Sequence, residues 1–184
     1  MESSSPPPKR VRIPERVFIS YSRKDVEWLE RLRAQLALLI DSGTVDLWYD
    51  SGEIEPGDAF NRSIEEAIDT CSAAVLLVSA DFQASDFIKK NELPRLLRRA
   101  DAGELRLFWV PVGHCHLADK LGETYHTVGN PSRPLETCDR GEWNKVLADL
   151  ARKLEQHVTD LHQQAEAAAK VERDRIAREE AERK

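Results

Sequence analysis

The sequence of 184 residues lacks several things that would otherwise direct its interpretation. It has no apolar run long enough to span a bilayer, so no membrane-spanning helix is expected. Its first residues, MESSSPPPKR, lack the apolar stretch of a secretory signal. Cysteine is scarce. Cys71, Cys115 and Cys138 are odd in number and widely spaced, which fits a reducing, cytoplasmic setting better than a disulfide framework. There is no Gly-x-Gly-x-x-Gly and no Walker lysine motif, so neither a Rossmann dehydrogenase nor a P-loop NTPase is indicated. His114-Cys115-His116 has no second Cys/His pair at zinc spacing and reads as loop. Positive charge is in deficit, with 27 Lys+Arg against 33 Asp+Glu and a net charge of −6. That balance gives no general attraction to nucleic acid, and no nucleic acid or membrane contact is expected.

What is present is an α/β pattern organised around residues 73–100. Ala73-Ala74-Val75-Leu76-Leu77-Val78 is a short apolar run, the mark of a parallel strand buried on both faces. Small polar residues end it at Ser79. A helical pattern follows, with Phe87, Ile88, Leu93, Leu96 and Leu97 apolar and Arg95, Arg98 and Arg99 opposite them. Pro94 lacks an N–H, so a kink near Glu92 or two short helices are expected, the second starting near Asn91. Ligands in open α/β sheets sit at the carboxyl ends of the strands. The segment from Ser79 to Glu92 lies at such an end, which makes Glu92 the first candidate for a working site.

The rest of the chain repeats the alternation. Residues 1–14 are polar and proline-rich and read as an unpacked tail. Val17 to Tyr21 is a first strand. Ser22 and Asp25 resemble a capping box for a helix carrying Trp28, Leu29, Leu32, Leu36, Leu39 and Ile40, with Gly43 as its left-handed stop. Val45 to Tyr49 is a second strand. An acidic loop from Asp50 to Gly57 follows, then a helix that Asp58 caps and that buries Phe60, Ile64, Ala67 and Ile68. Leu105 to Val112 is a fourth strand. Residues 113–141 are irregular, with room for one short strand or helical turn. Trp143, Val146, Leu147, Leu150 and Leu154 form the last packed helix. Residues 158–184 read as a long solvated helix. Its acid-before-base pairs four residues apart, such as Glu166–Lys170 and Asp174–Arg178, contribute roughly 0.2–0.5 kcal/mol each. Its heptad pattern is weak for a coiled coil. Strands alternating with helices imply βαβ units and a mainly parallel sheet of about five strands.

These residues resemble a known family. Phe18-Ile19-Ser20-Tyr21-Ser22 with Asp25 is similar to the opening box of a TIR (Toll/interleukin-1 receptor) domain of bacterial type. Asp46-Leu47-Trp48-Tyr49-Asp50, then Ile54, Pro56, Gly57 and Ile64, resembles that family's second strand, BB loop and next helix. Leu77-Val78-Ser79, Phe82, Ser85, Phe87 and Glu92-Leu93 resemble its central strand and catalytic-glutamate helix, and Pro134-Leu135 before Trp143 resembles the ends of bacterial members. The resemblance covers residues 15–157, leaving 158–184 as a charged extension or linker. It implies a flavodoxin-like three-layer sandwich with a five-stranded sheet. It also implies either an NAD+ glycohydrolase or a module that joins other TIR domains.

In such enzymes a glutamate on the helix after the central strand is essential, and by position it is Glu92. The chemistry is consistent with one carboxylate. Nicotinamide leaves NAD+ as a neutral base, so no strong acid is needed, and a carboxylate near the oxocarbenium ion or the ribose hydroxyls suffices. NAD+ is then substrate, and no cofactor is implied. The alternative for Glu92 is a favourable charge at a helix start. Ser20, Tyr21, Ser22 and Arg23 follow the first strand, and Arg23 or the helix-start amides suit a pyrophosphate. For Ser22 a plain cap is equally apt. Trp48 and Tyr49 suit an adenine or ribose, although a core position also explains Trp48. Asp50 belongs to the substrate set, Phe82 walls the pocket, and the Asp50–Gly57 loop is a lid or an assembly surface. Cys71 reads as a small buried residue. Self-association is expected to complete the pocket, and a nucleotide sensor without catalysis is a third possibility.

Overall fold

The computed structural model describes residues 13–50 and 58–183. The expectations for the first twelve residues, for residues 51–57 and for the side chains of Asp58 and Phe60 lie outside the described residues.

Four strands form one parallel sheet: β1 (Glu15–Ser20), β2 (Val45–Tyr49), β3 (Ala73–Val78) and β4 (Arg106–Pro111). Their order is β2-β1-β3-β4. β3 is central, with Val75 opposite Ile19 of β1 and Phe108 of β4. All six of its residues are buried, as the uninterrupted apolar run requires. Successive side chains point to opposite faces, so the sheet feeds two cores. Val17, Ile19, Val75, Leu77, Phe108 and Val110 face one layer of helices, and Phe18, Ala74, Leu76, Val78, Leu107 and Trp109 face the other.

The first layer holds α1 (Val26–Asp41) and α6 (Arg140–Glu182). α1 buries Leu29, Leu32, Leu36 and Leu39 and stops at Gly43, whose φ of 68° is the left-handed turn expected there. α6 opens with a true capping box that sequence reading missed. The Asp139 carboxylate accepts from Glu142 N–H at 2.9 Å, and the Glu142 carboxylate accepts from Asp139 N–H at 3.1 Å. Trp28 of α1 and Trp143 of α6 meet edge-to-face at 5.9 Å. The Arg31 guanidinium sits 4.4 and 4.5 Å from their ring centres, which ties the two helices through cation–π contacts. The second layer holds α2 (Asp58–Thr70), α3 (Ala80–Ala84), α4 (Leu93–Asp101) and α5 (His116–Thr124). This is the three-layer flavodoxin-like sandwich.

The strand count needs correction. Four strands, not five, are found among the described residues. Where a fifth would pair with β4 there is a single parallel bridge, Trp109 to Thr127, with Val128 N–H donating to the Trp109 carbonyl at 2.8 Å. Gly129 follows at φ 106°, outside the extended region, and Pro131 comes two residues later, so the ladder cannot propagate.

α6 runs 43 residues without a break, or about 65 Å. Its buried face is Leu147, Leu150, Leu154 and Val158. From residue 163 to 183 every position is exposed. Ion pairs there join Arg175 to Glu172 at 2.6 Å and to Glu179 at 2.5 Å.

Candidate functional site

β1 and β3 end side by side, and the residues that follow them line a cleft of about 500 Å³. That size lies within the range of small-molecule sites. Tyr21, Ser22, Arg23 and Lys24 come from the turn after β1, and Asp50 from the end of β2. Asn61 comes from α2, while Ser85, Phe87, Ile88 and Glu92 come from the segment after β3.

Glu92 owes its direction to Pro94. A proline cannot donate to the preceding helical turn. The chain widens there into a π-helical turn, Ile88–Glu92, in which the Leu93 N–H reaches back to the Ile88 carbonyl. α4 then begins with Pro94 in its first turn, where the missing N–H costs nothing. The break thus falls at Glu92, one of the two outcomes expected, with the second helix starting at Leu93 rather than Asn91. The turn buries both Ile88 and Glu92. Glu92 is only 4% exposed, and its Oε2 accepts a hydrogen bond from the Ser20 hydroxyl. Burial pushes its carboxyl up to about 7, and the charge of Asp50 adds to that rise. The Ser20 hydrogen bond opposes it by favouring the charged form.

The other wall is held by Asp50. The Arg23 guanidinium donates to Asp50 Oδ2 through Nε at 3.1 Å and through Nη2 at 2.8 Å. The Tyr21 hydroxyl donates to the Asp50 carbonyl at 2.7 Å. Burial, with Asp50 second, raises the Tyr21 phenol above its ordinary range. Ser22 acts as a cap, its hydroxyl accepting from Lys24 N–H at 3.4 Å. Neither half of the expected capping box is made, because the Asp25 N–H donates to the Ser22 carbonyl at 2.7 Å. Asp25 instead accepts a 2.5 Å hydrogen bond from the Ser79 hydroxyl, which joins the ends of β1 and β3. Burial raises the Asp25 carboxyl, against that hydrogen bond.

The structure therefore gathers Ser20, Tyr21, Ser22, Arg23, Asp50 and Glu92 into one neighbourhood. It puts Trp48 and Phe82 elsewhere. Trp48 stacks on Phe18 at 5.2 Å and packs against the core, and Phe82 is fully buried. Neither lines the cleft, because large aromatic surface is better removed from water beneath the helices. Asn61 and Lys24 join the lining without having been singled out. Lys24 carried a signal in its place beside the capping serine, whereas Asn61 carried none. Cys71 is buried, and its thiol donates to the Ile68 carbonyl at 3.2 Å.

A family model described as TIR domain matches residues 17–130. The uncharacterised protein y4lF of Sinorhizobium fredii is 39% identical over 88 residues, covering 48% of this chain and 27% of that protein. A protein of Paracoccus denitrificans named NAD(+) hydrolase PdTIR is 26% identical over 118 residues, covering 64% of this chain and 37% of its own length. The chain thus matches less than half the length of either relative. The crystal structure of the TIR domain of the Toll-related receptor TRR-2 from Hydra magnipapillata is 20% identical with a TM-score of 0.43, covering 74% of this chain and 97% of that one.

Proposed function

Because the chain belongs to the TIR-domain family, we propose that it hydrolyses the bond between nicotinamide and ribose in NAD+, with Glu92 as the essential carboxylate. The observation that carries this is the setting of Glu92. It is a buried carboxyl at a cleft of about 500 Å³, at the strand edge where α/β sheets bind ligands. The family relative named as an NAD(+) hydrolase supports the same substrate.

In this mechanism the C1′–N bond breaks and its electron pair leaves with nicotinamide, which departs neutral. Positive charge develops on the ribose ring. Glu92, kept partly ionised near neutral pH by the Ser20 hydrogen bond, faces that charge or holds the ribose hydroxyls. Water adds to C1′ and loses a proton. Arg23 meets the pyrophosphate only by sharing or leaving Asp50, because both its Nε and Nη2 already donate there. Self-association with other copies of the domain completes the site. Specific activity should therefore fall on dilution, and activity unchanged in a demonstrated monomer would refute that part.

The test is nicotinamide release from NAD+ by concentrated wild-type protein and by Glu92→Gln. Loss of a charge stabiliser in a water-poor site should lower turnover by roughly a hundredfold or more. Near wild-type cleavage by the variant would transfer the role to Glu104 or to an acid of residues 50–58. No cleavage by the wild type, even when assembled, would leave a module that joins other TIR domains without catalysis.

A further inference from the structure

A second cleft, of about 480 Å³, lies on another side of the molecule, between the outer edge of β4 and the buried part of α6. It shares no residue with the Glu92 cleft. Arg106 from β4, His126 and Thr127 from the segment after α5, and Lys153 and His157 from α6 converge on it. A neighbouring groove continues from it and shares Arg106, His126 and His157. In a chain of net charge −6, this is a concentration of cationic and imidazole groups.

Three details mark it as a site rather than a solvated face. The Arg106 guanidinium has no ion pair among the described residues and lies 5.9 Å from the Phe108 ring centre instead. Its fork of donors is therefore uncommitted. His157 Nε2 must donate to the Ser72 carbonyl at 3.1 Å, since a carbonyl only accepts, so Nδ1 is the ring nitrogen left over. Thr127 Oγ1 is buried without any hydrogen-bond partner. A buried hydroxyl without a partner carries a cost in free energy. Opposing charge is limited. Asp160 lines the cleft and accepts from Gln156 at 2.7 Å, and Lys153 is 3.6 Å from Asp149, a separation at which it keeps donors free.

We propose that this cleft binds a phosphate-bearing metabolite of mononucleotide size. Arg106 and Lys153 grip the phosphate, and His126, Thr127 and Gln156 line the space left for the rest of the molecule. A planar guanidinium fork matches a phosphate's paired oxygens, and an ammonium adds a point charge. The site is separate from the proposed NAD+ chemistry and does not depend on it.

The test uses AMP and inorganic phosphate as probes, followed by amide NMR on the whole chain. AMP should shift the resonances of Leu107, His126, Thr127 and Val128, and phosphate should compete. In the Arg106→Gln/Lys153→Gln double variant, AMP should bind at least tenfold more weakly. Both side chains lie at the surface, so the variant should keep the wild-type melting profile. Shifts confined to residues around Glu92 would overturn the proposal. So would shifts at the second cleft that the folded double variant reproduces at the same AMP concentration.

Discussion

Replacing Glu92 with glutamine should make the folded protein more stable above neutral pH. The reason is the position of the carboxyl, moved by burial from an ordinary 4.5 to about 7. Between those two values the native state holds a proton that the unfolded chain has released. Linkage then makes stability fall as pH rises through that window. The stabilising proton is fully present below pH 4.5 and its contribution is lost above pH 7. At about 1.4 kcal/mol per pH unit, the loss approaches about 3 kcal/mol. Glutamine has nearly the same volume and never ionises, and its amide oxygen can accept the Ser20 hydrogen bond. The variant should thus avoid that loss. For a chain of this length, about 3 kcal/mol corresponds to a rise in Tm of roughly 6–12 °C relative to wild type at pH 8. At pH 4.5 the difference should shrink towards zero. The assay is thermal unfolding of both proteins from pH 4.5 to 8.5, with urea unfolding at the two ends. A Tm difference that stays constant across the range would refute the reasoning. A variant less stable than wild type at pH 8 would refute it more directly, because it would mean that the charged form is well solvated or paired in the native state.

Further tests separate the roles of neighbouring groups. Ser20→Ala removes the donor that favours the carboxylate, so the acid limb of the cleavage profile should move to higher pH, with activity most reduced below pH 7 and recovering above pH 8. An equal loss at every pH would give Ser20 a substrate contact instead. Val158→Asp puts a charge at a position 1% exposed in α6 and should cost about 3 kcal/mol or more. Val171→Asp, at 69% exposure on the same helix, should change stability by less than about 0.5 kcal/mol, and urea unfolding compares the two.

The layers of this fold were legible because burial leaves a periodic trace. The apolar run of β3 and the helical spacing of Leu29, Leu32, Leu36 and Leu39 each identify one element with its buried face. The missing fifth strand was not legible. Tyr125, Thr127 and Val128 are residue types that favour strands, but the φ of Gly129 is a three-dimensional property and stops the ladder after one bridge. Glu92 could be found from topology alone, since it follows the central strand. Its partner could not. Ser20 and Glu92 are 72 residues apart, and only the π-helical turn before Pro94 brings the carboxylate onto the end of β1. Trp48 and Phe82 misled for a general reason: an aromatic near a strand end can serve a ligand or a core, and packing decides between them. Arg23 lines the cleft beside Glu92, and its engagement with Asp50 depends on the register of β1 against β2.

The unbroken course of α6 also makes it a torsion rod. An α-helix turns about 100° and advances 1.5 Å for each residue. With Leu147, Leu150, Leu154 and Val158 clamped in the core, the heading of every later side chain is fixed relative to the sheet. One residue inserted after Leu161 would swing Val171 and Ile176 about 100° around the axis, whereas four would return them to nearly the same side, about 6 Å farther out. A partner that reads this helix would therefore read angle as well as distance.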